Sequence, residues 1–255
     1  MKAPTKQQQL TSRLTIGFDV WGTILDLDRV LDLIALEVAE RIGGVLPEIR
    51  EKVIRVHGEA KKLRRRNPNL TPQALLEASK KIMAEALNTS TSMVDEIIKN
   101  AFERAGESLV FPDVLPTLRK LSKMGYPMGI IGNVLFWPST HTRILLERTG
   151  VIGFFGEIVF SDEAGFSKPD RQIFLYFAEK TNTDPSNLVY VGDNVVEDIG
   201  GVLSAGGFGV LISRRASSSR LIIPDLRVAL VRDLRELIEV VGVLERYRGE
   251  ECSST

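Results

Sequence analysis

The chain has 255 residues and a mass of 28.3 kDa, which suffices for one large domain or for a core domain with an insertion. Hydrophobic residues make up 44% and charged residues 26% of the sequence, a composition that excludes a disordered or collagen-like chain. Because 33 basic residues balance 33 acidic ones, no basic footprint indicates a nucleic acid or a membrane as the main partner.

Both ends of the chain are polar. Residues 1–12, MKAPTKQQQLTS, contain lysines and glutamines without an apolar core, so we expect a disordered tail and not a signal peptide. No apolar run approaches membrane-spanning length. The single cysteine, Cys252, falls in a second polar tail at 249–255, where it has no other thiol to pair with. These features predict a cytoplasmic protein.

The first predicted strand delivers an aspartate to the edge of a sheet. The run RLTIGF, at 13–18, is rich in β-branched and apolar residues, and FDVWGT continues it with Asp19, Trp21 and a Gly-Thr pair. Taken alone, an aspartate in such a position is more often a turn or a helix cap. A functional role for Asp19 therefore depends on what the later strands place beside it.

Four helical patterns follow, with no strand-like run between them. The third has Thr71 as its N-cap, and the fourth begins with Ser92 and Asp95 in capping-box spacing. Because these helices interrupt the chain straight after its first strand, they predict a helical cap inserted near the active edge, over residues 28–110. The segments 13–27 and 111–248 are then the α/β core.

Beyond the cap, strand-like runs alternate with helical patterns, which predicts an α/β fold with a parallel sheet flanked by helices on both faces. In such a sheet the ligand lies outside the C-terminal ends of the strands. The strand-like runs are MGIIGN at 128–133, GEIVFS at 156–161, NLVYVGD at 187–193, FGVLIS at 208–213 and RVALV at 227–231.

Four stretches at or just beyond the strand ends carry candidate functional groups: FDVWGT, IGNV, FSKPD and VGDNVVED. Loops after different parallel strands converge on one edge, so these residues are expected to share a site. Three carboxylates in one site repel one another, and Mg²⁺, which prefers oxygen ligands, would relieve that repulsion together with the Lys168 ammonium. The candidates are Asp19, Asn133, Lys168, Asp193 and Asp198.

The four stretches, in this order, resemble the motifs of the haloacid dehalogenase superfamily, and the resemblance covers nearly the whole chain. It implies a Rossmann-like core with a C1-type helical cap. It also implies that Asp19 is the nucleophile that forms a covalent aspartyl intermediate. Lys168 would steady the nucleophile and the transferring group, and Asp198 would bind metal through water or orient Lys168 or the attacking water.

The same resemblance implies a metal site and a substrate site. Mg²⁺ would be held by Asp19, by Asp193 and by the main-chain carbonyl of Trp21. Asn133 would hydrogen-bond the anionic group of the substrate. Gly132 stands where the family usually has serine or threonine, so backbone N–H groups or the Asn133 amide would have to supply the missing contact.

Trp21 is the second departure from the family pattern, because most phosphatases of the family have an aspartate there as general acid and base. Such an acid contributes about 10²–10⁴-fold, so its loss favours leaving groups that need no proton: halide, acyl phosphate, enol phosphate or aryl phosphate. In the dehalogenases themselves an aromatic residue occupies this position. Those enzymes, however, lack the carboxylate at Asp193, which would repel a 2-haloacid and the departing halide.

Cap residues are expected to select the substrate. Arg50 is the first candidate for an anion-binding arginine and Arg41 the second, although a solvated helix face also explains Arg50. Both histidines lie in helical segments without partners at metal-ligand spacing, so surface or partly buried roles explain them. Of the two, His57 is the better candidate to replace the missing acid because it lies in the cap. The run KKLRRR, at 61–66, is interpreted as a solvated helix end, with attraction of anionic substrates as the alternative.

The predicted function is Mg²⁺-dependent hydrolysis of a small phosphorylated, anionic metabolite through an aspartyl-phosphate intermediate. A metal-independent 2-haloacid dehalogenase is the first alternative. A non-catalytic binding protein on the same scaffold is the second, since Gly132 and Trp21 both lack the polar side chain usual in the family. The expected state is a monomer or a homodimer, with neither nucleic acid nor membrane as a partner.

Overall fold

The computed structural model describes residues 13–67, 69–215 and 220–253, with side chains up to residue 247. The tail expected at 1–12 lies outside the described residues. The last helix continues to Ser253, so the tail expected from 249 begins within that helix, and the side chain of Cys252 is not described. In the described part of the chain, no helix combines the length and the apolar character needed to cross a bilayer.

A seven-stranded sheet forms the core and confirms the predicted α/β fold. Its spatial order is β3-β2-β1-β4-β5-β7-β6, and every neighbouring pair is parallel except β6 with β7. The strands are β1 (Thr15–Phe18), β2 (Met128–Gly132), β3 (Glu157–Phe160), β4 (Leu188–Gly192), β5 (Phe208–Ile212), β6 (Leu221–Ile223) and β7 (Val228–Val231).

The register of the central strands sets the position of the site. Phe18 of β1 is paired with Ile130 of β2 on one side and with Val191 of β4 on the other. The three strands therefore end at nearly the same level, and the residues that follow them emerge side by side. β1, β2 and β4 are buried on both faces, which explains their continuous apolar runs.

Ten α-helices occur in the described part of the chain, and six of them belong to the α/β part. A single turn of π-helix, Val195–Gly200, connects β4 to α9. The helices are α1 (Leu27–Arg41), α2 (Leu46–Arg66), α3 (Pro72–Leu87), α4 (Thr91–Arg104), α5 (Val114–Lys123), α6 (Ser139–Arg148), α7 (Ser161–Ala164), α8 (Arg171–Lys180), α9 (Gly201–Ser204) and α10 (Leu237–Ser253).

Helices α1 to α4 form the inserted helical cap that the sequence predicts; its exact boundaries at 28 and 110 stay a prediction. Within the cap α1 contacts α2 and α4, and α3 contacts α2 and α4. The Thr71 hydroxyl caps α3 by accepting from the N–H of Ala74 at 3.2 Å. The cap of α4 is Ser90 and not Ser92, since the Ser90 hydroxyl accepts from the N–H of Met93 at 3.1 Å.

Candidate active site

The carboxyl edge of the sheet gathers three aspartates. Asp19 follows β1, Asp193 follows β4, and Asp198 lies in the π-helical turn beyond it. One carboxylate oxygen from each residue lies within 4.8 Å of the others. Asp19 and Asp198 are buried, whereas Asp193 is exposed at the mouth of the pocket. The structure thus brings together the three carboxylates that the sequence places far apart.

The Lys168 ammonium lies between two of these carboxylates. Its Nζ is 2.6 Å from Oδ1 of Asp19, 2.7 Å from Oδ1 of Asp198 and 2.8 Å from the hydroxyl of Tyr190. An ammonium has three hydrogens to donate, so these three acceptors saturate it. Lys168 is only 2% exposed, so water has no access to its ion pairs.

Burial and charge act in opposite directions on the titration of this network. Burial, together with the charges of Asp198 and Asp193, raises the pKa of Asp19 to about 7, while Lys168 acts to lower it. The charges of Asp19 and Asp198 raise the pKa of Lys168 well above its ordinary value, although burial alone would lower that pKa. Besides burial, the neighbouring carboxylates of Asp198 and Asp193 thus disfavour the charged form of Asp19.

Tyr190 is a member of the network that the sequence analysis missed. It lies in β4, is fully buried, and its hydroxyl donates to the carbonyl oxygen of Ile131 at 2.5 Å while accepting from Lys168. The pattern does hold a signal, because Tyr190 carries the only hydroxyl in the run LVYVG. A buried hydroxyl in an aliphatic strand needs polar partners, and here they are the site lysine and β2.

The π-helical turn after β4 holds Asp198 in place. Oδ1 of Asn194 accepts from the N–H groups of Val196 at 3.0 Å and Glu197 at 3.1 Å, which caps the turn. Oδ2 of Asp198 accepts from the N–H of Asn194 at 2.9 Å. Since its other oxygen binds Lys168, both oxygens of Asp198 have partners. This geometry suits the orientation of Lys168 better than direct metal binding.

Asn133 and Gly132 lie where the second motif is expected. The Asn133 amide donates to the carbonyl of Lys168 at 3.0 Å and accepts from its N–H at 2.9 Å, which leaves the second amide hydrogen for a ligand. A Cβ built on Gly132 would lie 2.6 Å from the ring of Phe160. The aromatic ring therefore occupies the space in which a serine or threonine side chain would begin.

The turn after Asp19 depends on Gly22. Its φ is +89°, and a Cβ there would lie 2.6 Å from Oδ2 of Asp193. The N–H of Gly22 donates to the carbonyl of Leu25 at 2.8 Å, which closes the turn. Within the part of the chain that the structure describes, no backbone N–H donates to the carbonyl of Trp21. That oxygen is thus available beside Asp19.

The Trp21 side chain belongs to an aromatic wall of the pocket. Its ring centroid lies 5.4 Å from that of Trp137 and 6.2 Å from that of Phe102, both in edge-on arrangements. Trp137 comes from the loop after β2, and Phe102 from α4 of the cap. The indole therefore packs where cap and core meet, and it presents no acidic proton to a leaving group.

Helix α2 supplies three further lining residues of the pocket, His57, Lys61 and Arg64. Their spacing of four and three residues places them on one helix face. The Arg64 side chain is 9% exposed, and its Nη2 lies 2.5 Å from Oε2 of Glu197 in the π-helical turn. The interpretation of 61–66 as a solvated helix end is thus wrong for Arg64.

Arg50 is not brought to the site. It is paired with Asp32 of α1 at 2.5 Å on the exposed surface of the cap. Eleven residues separate it from Lys61, which at a rise of 1.5 Å per residue is about 16 Å along the helix. Arg41 likewise faces Glu37 and Glu96. The cationic cap residues that do line the pocket, Lys61 and Arg64, lie towards the other end of α2, and only cap packing reveals this.

His57 lines the pocket, but its lowered pKa disfavours a role as general acid. Burial and the charges of Lys61 and Arg64 lower its pKa to about 3, so the imidazole is neutral near pH 7. A neutral imidazole offers one N–H and no readily released proton. The second histidine, His141, lies in α6 with its ring 5.6 Å from that of Phe102 and does not line the pocket.

The carboxyl edge of the parallel sheet carries an acidic cluster, a lysine whose three ammonium hydrogens are all bonded, and a helix of the cap. These features define a hydrolase of the capped α/β class. A family model described as haloacid dehalogenase-like hydrolase matches residues 14–206. The chain therefore belongs to the haloacid dehalogenase-like hydrolase family, as the four sequence motifs predict.

Comparison with known proteins gives relatives named as phosphatases. The chain is 38% identical over 104 residues to the glyceraldehyde 3-phosphate phosphatase of Methanopyrus kandleri, with 41% of this chain and 43% of that protein covered. It is 28% identical over 183 residues to the phosphoglycolate phosphatase of Vibrio cholerae, with coverage of 70% and 75%. The chain spans about half the length of the first curated relatives it matches, from 43% to 58%.

Among solved structures, the putative HAD-hydrolase YfnB from Bacillus subtilis, bound to magnesium, matches with a TM-score of 0.70. The sequence identity is 19%, and the match covers 91% of this chain and 99% of that one. At this identity the likeness concerns the fold alone. It supports the α/β core with an inserted cap.

Proposed function

We propose that the protein is a Mg²⁺-dependent phosphatase that hydrolyses a small phosphorylated metabolite through an aspartyl-phosphate intermediate on Asp19. The observation that carries this proposal is the position of Asp193. Its carboxylate lies within 4.8 Å of those of Asp19 and Asp198, where an anionic substrate would be repelled unless a cation intervenes. The phosphatases among the relatives of this chain support the same reaction class.

The donor set fits a hard divalent cation. Of the six carboxylate oxygens in the cluster, three are already bonded, by Lys168 to Asp19 and by Lys168 and Asn194 to Asp198. The second oxygen of Asp19, the carboxylate of Asp193 and the carbonyl of Trp21 remain as oxygen ligands, the type that Mg²⁺ prefers. When bound, the ion would neutralise charge on the phosphoryl oxygens and reduce repulsion among the carboxylates.

In the proposed reaction a carboxylate oxygen of Asp19 attacks phosphorus. The bond from phosphorus to the leaving-group oxygen breaks, and the leaving group departs with the electron pair. Water then attacks the aspartyl phosphate, which releases inorganic phosphate and restores the carboxylate. Lys168 bonds one oxygen of Asp19 and so fixes the orientation of the carboxylate, while Asp198 and Tyr190 fix the position of Lys168.

Trp21 restricts the leaving group. Neither the indole nor the neutral imidazole of His57 donates a proton efficiently at neutral pH. Acyl, enol and aryl phosphates, whose leaving groups are stable anions, are therefore the preferred classes. Simple alkyl phosphates are expected to react more slowly.

An assay panel tests the proposal. p-Nitrophenyl phosphate and acetyl phosphate are supplied with Mg²⁺ or with EDTA, and 2-chloropropionate is supplied with EDTA. We expect phosphate release that requires Mg²⁺ and that falls by at least about 10³-fold in Asp19→Asn. Circular dichroism of this variant controls for folding.

Two outcomes would contradict the proposal. Halide release in EDTA would identify a metal-independent dehalogenase, an activity compatible with the aromatic residue at Trp21. Release of neither phosphate nor halide would support a binding protein on this scaffold.

A further inference from the structure

The face of α2 that lines the pocket carries cationic side chains beside the acidic cluster. Three cationic side chains line the pocket in the described part of the chain, Lys61, Arg64 and Lys168. Lys168 has all three hydrogens bonded to acceptors within the network. Lys61 and Arg64 are therefore the cationic side chains of this pocket that remain to meet a second anionic group of a substrate.

Arg64 retains donor capacity although it is paired. Glu197 accepts from one terminal nitrogen, but the buried Nε of Arg64 has no partner. A buried N–H without an acceptor destabilises this arrangement, so Arg64 keeps donor capacity beyond the group that Glu197 uses. Its Glu197 partner is itself shared with Arg65, whose Nε lies 3.4 Å from Oε1.

Lys61 is the second donor on this face. Among the described residues its ammonium forms no ion pair within 4.0 Å, although its charge acts on the carboxylates of Asp193 and Glu197. The side chain lines the pocket one helical turn from both His57 and Arg64. An ammonium that faces a pocket without an ion-pair partner attracts anionic ligands.

The neutral groups of the pocket leave little for hydroxyl recognition. The Asn133 side chain bonds the backbone of Lys168 and keeps one amide hydrogen, neutral His57 offers one N–H, and Oδ1 of Asn194 caps the π-helical turn. The remaining wall is largely apolar, with Leu27, Leu135 and the two indoles of Trp21 and Trp137. A sugar or nucleoside would find few free partners here, whereas a short apolar linker would fit.

We propose that Lys61 and Arg64 form a carboxylate subsite, so that the substrate is a small phosphorylated carboxylic acid. Its phosphoryl group lies at Asp19, its carboxylate at α2, and its short carbon chain against the indoles. The inference rests on the proposed function for the chemistry at Asp19. The subsite itself concerns binding alone.

Two phosphonates that cannot be hydrolysed test the subsite. Isothermal calorimetry with excess Mg²⁺ compares methylphosphonate, which has no second charge, with 3-phosphonopropionate, which carries a carboxylate. For the wild type we expect the carboxylate to tighten binding at least about 10-fold, as a charge-assisted contact does.

Variants of α2 assign that gain to a residue. In Lys61→Met the ratio of the two affinities should fall below about 3, and in Lys61→Arg it should be kept, because the charge is kept. Lys62→Met is the matched control, since Lys62 is the exposed neighbour on the same helix and does not line the pocket. Thermal melting of each variant verifies that it is folded.

The two proposals fail in different ways. Equal affinity of the wild type for both phosphonates, or a full carboxylate gain in Lys61→Met, would overturn the subsite even if phosphatase activity is found. A carboxylate gain that depends on Lys61, without phosphate release from any substrate, would sustain the subsite and overturn the proposed reaction.

Discussion

Replacing Trp21 by aspartate should supply the acid that this site lacks. The side chain would stand two residues after Asp19, in contact range of the leaving group. Removing a fully buried tryptophan costs about 3–5 kcal/mol, which is an upper bound here because Trp21 is only half-buried between Phe102 and Trp137. Trp21→Asn shares this loss of packing and differs from Trp21→Asp in the ionisable group.

The magnitude follows from the proton that the leaving group needs. A well-placed general acid contributes about 10²–10⁴-fold for an alkoxide leaving group and little for p-nitrophenolate. The measured quantity is kcat/KM for glycerol 3-phosphate divided by kcat/KM for p-nitrophenyl phosphate. We expect this ratio to be at least about 10-fold higher in Trp21→Asp than in Trp21→Asn.

An equal ratio in the two variants would refute the reasoning. It would mean that proton delivery does not limit the alkyl ester, and that Trp21 acts only through packing. If both variants lose activity through lost packing, the loss should affect the two substrates equally, and the ratio still reports on proton delivery.

Three further predictions concern the supports of the site. Gly132→Ser should destabilise the protein by about 1–3 kcal/mol in urea unfolding, because its Cβ would meet the Phe160 ring; a cost that persists when Phe160→Ala is added would contradict this cause. Tyr190→Phe should cost about 1–3 kcal/mol, since it leaves the Ile131 carbonyl and one hydrogen of Lys168 without a partner; an unchanged urea midpoint would exclude that role. His57 has a folded-state pKa of about 3, below its unfolded value, so the unfolded chain binds the proton first and stability falls as the pH drops below about 6.5. Between pH 7 and 5 the wild type should lose at most about 2 kcal/mol more free energy of unfolding than His57→Gln does, and an identical loss in both proteins would refute the assignment to His57.

Much of the fold follows from the local pattern of the chain. The parallel core strands are continuous apolar runs followed by polar residues, and the sequence locates all of them. The strand that it misses, β6 (Leu221–Ile223), is three residues long, partly exposed, and bounded by Pro224. Its pairing with β7 is antiparallel and depends on the neighbouring strand rather than on a period of its own.

The candidate site likewise has one part that the sequence predicts and one part that it does not. Asp19, Lys168, Asp193 and Asp198 meet because parallel strands end at one edge, a rule that needs only strand positions. The contribution of α2 depends instead on how the cap packs over the core. Both ends of this helix carry arginines, and only the three-dimensional arrangement selects Arg64 over Arg50.

The distribution of tryptophan gives the pocket an optical signal of its own. The chain has two tryptophans, and both Trp21 and Trp137 line the pocket, with their ring centroids 5.4 Å apart. Excitation of the unlabelled protein at the indole band therefore reports almost entirely on this region. Ligand entry, metal binding or movement of α4 against Trp137 should each change the emission spectrum, so titrations can be followed by fluorescence without attaching a dye.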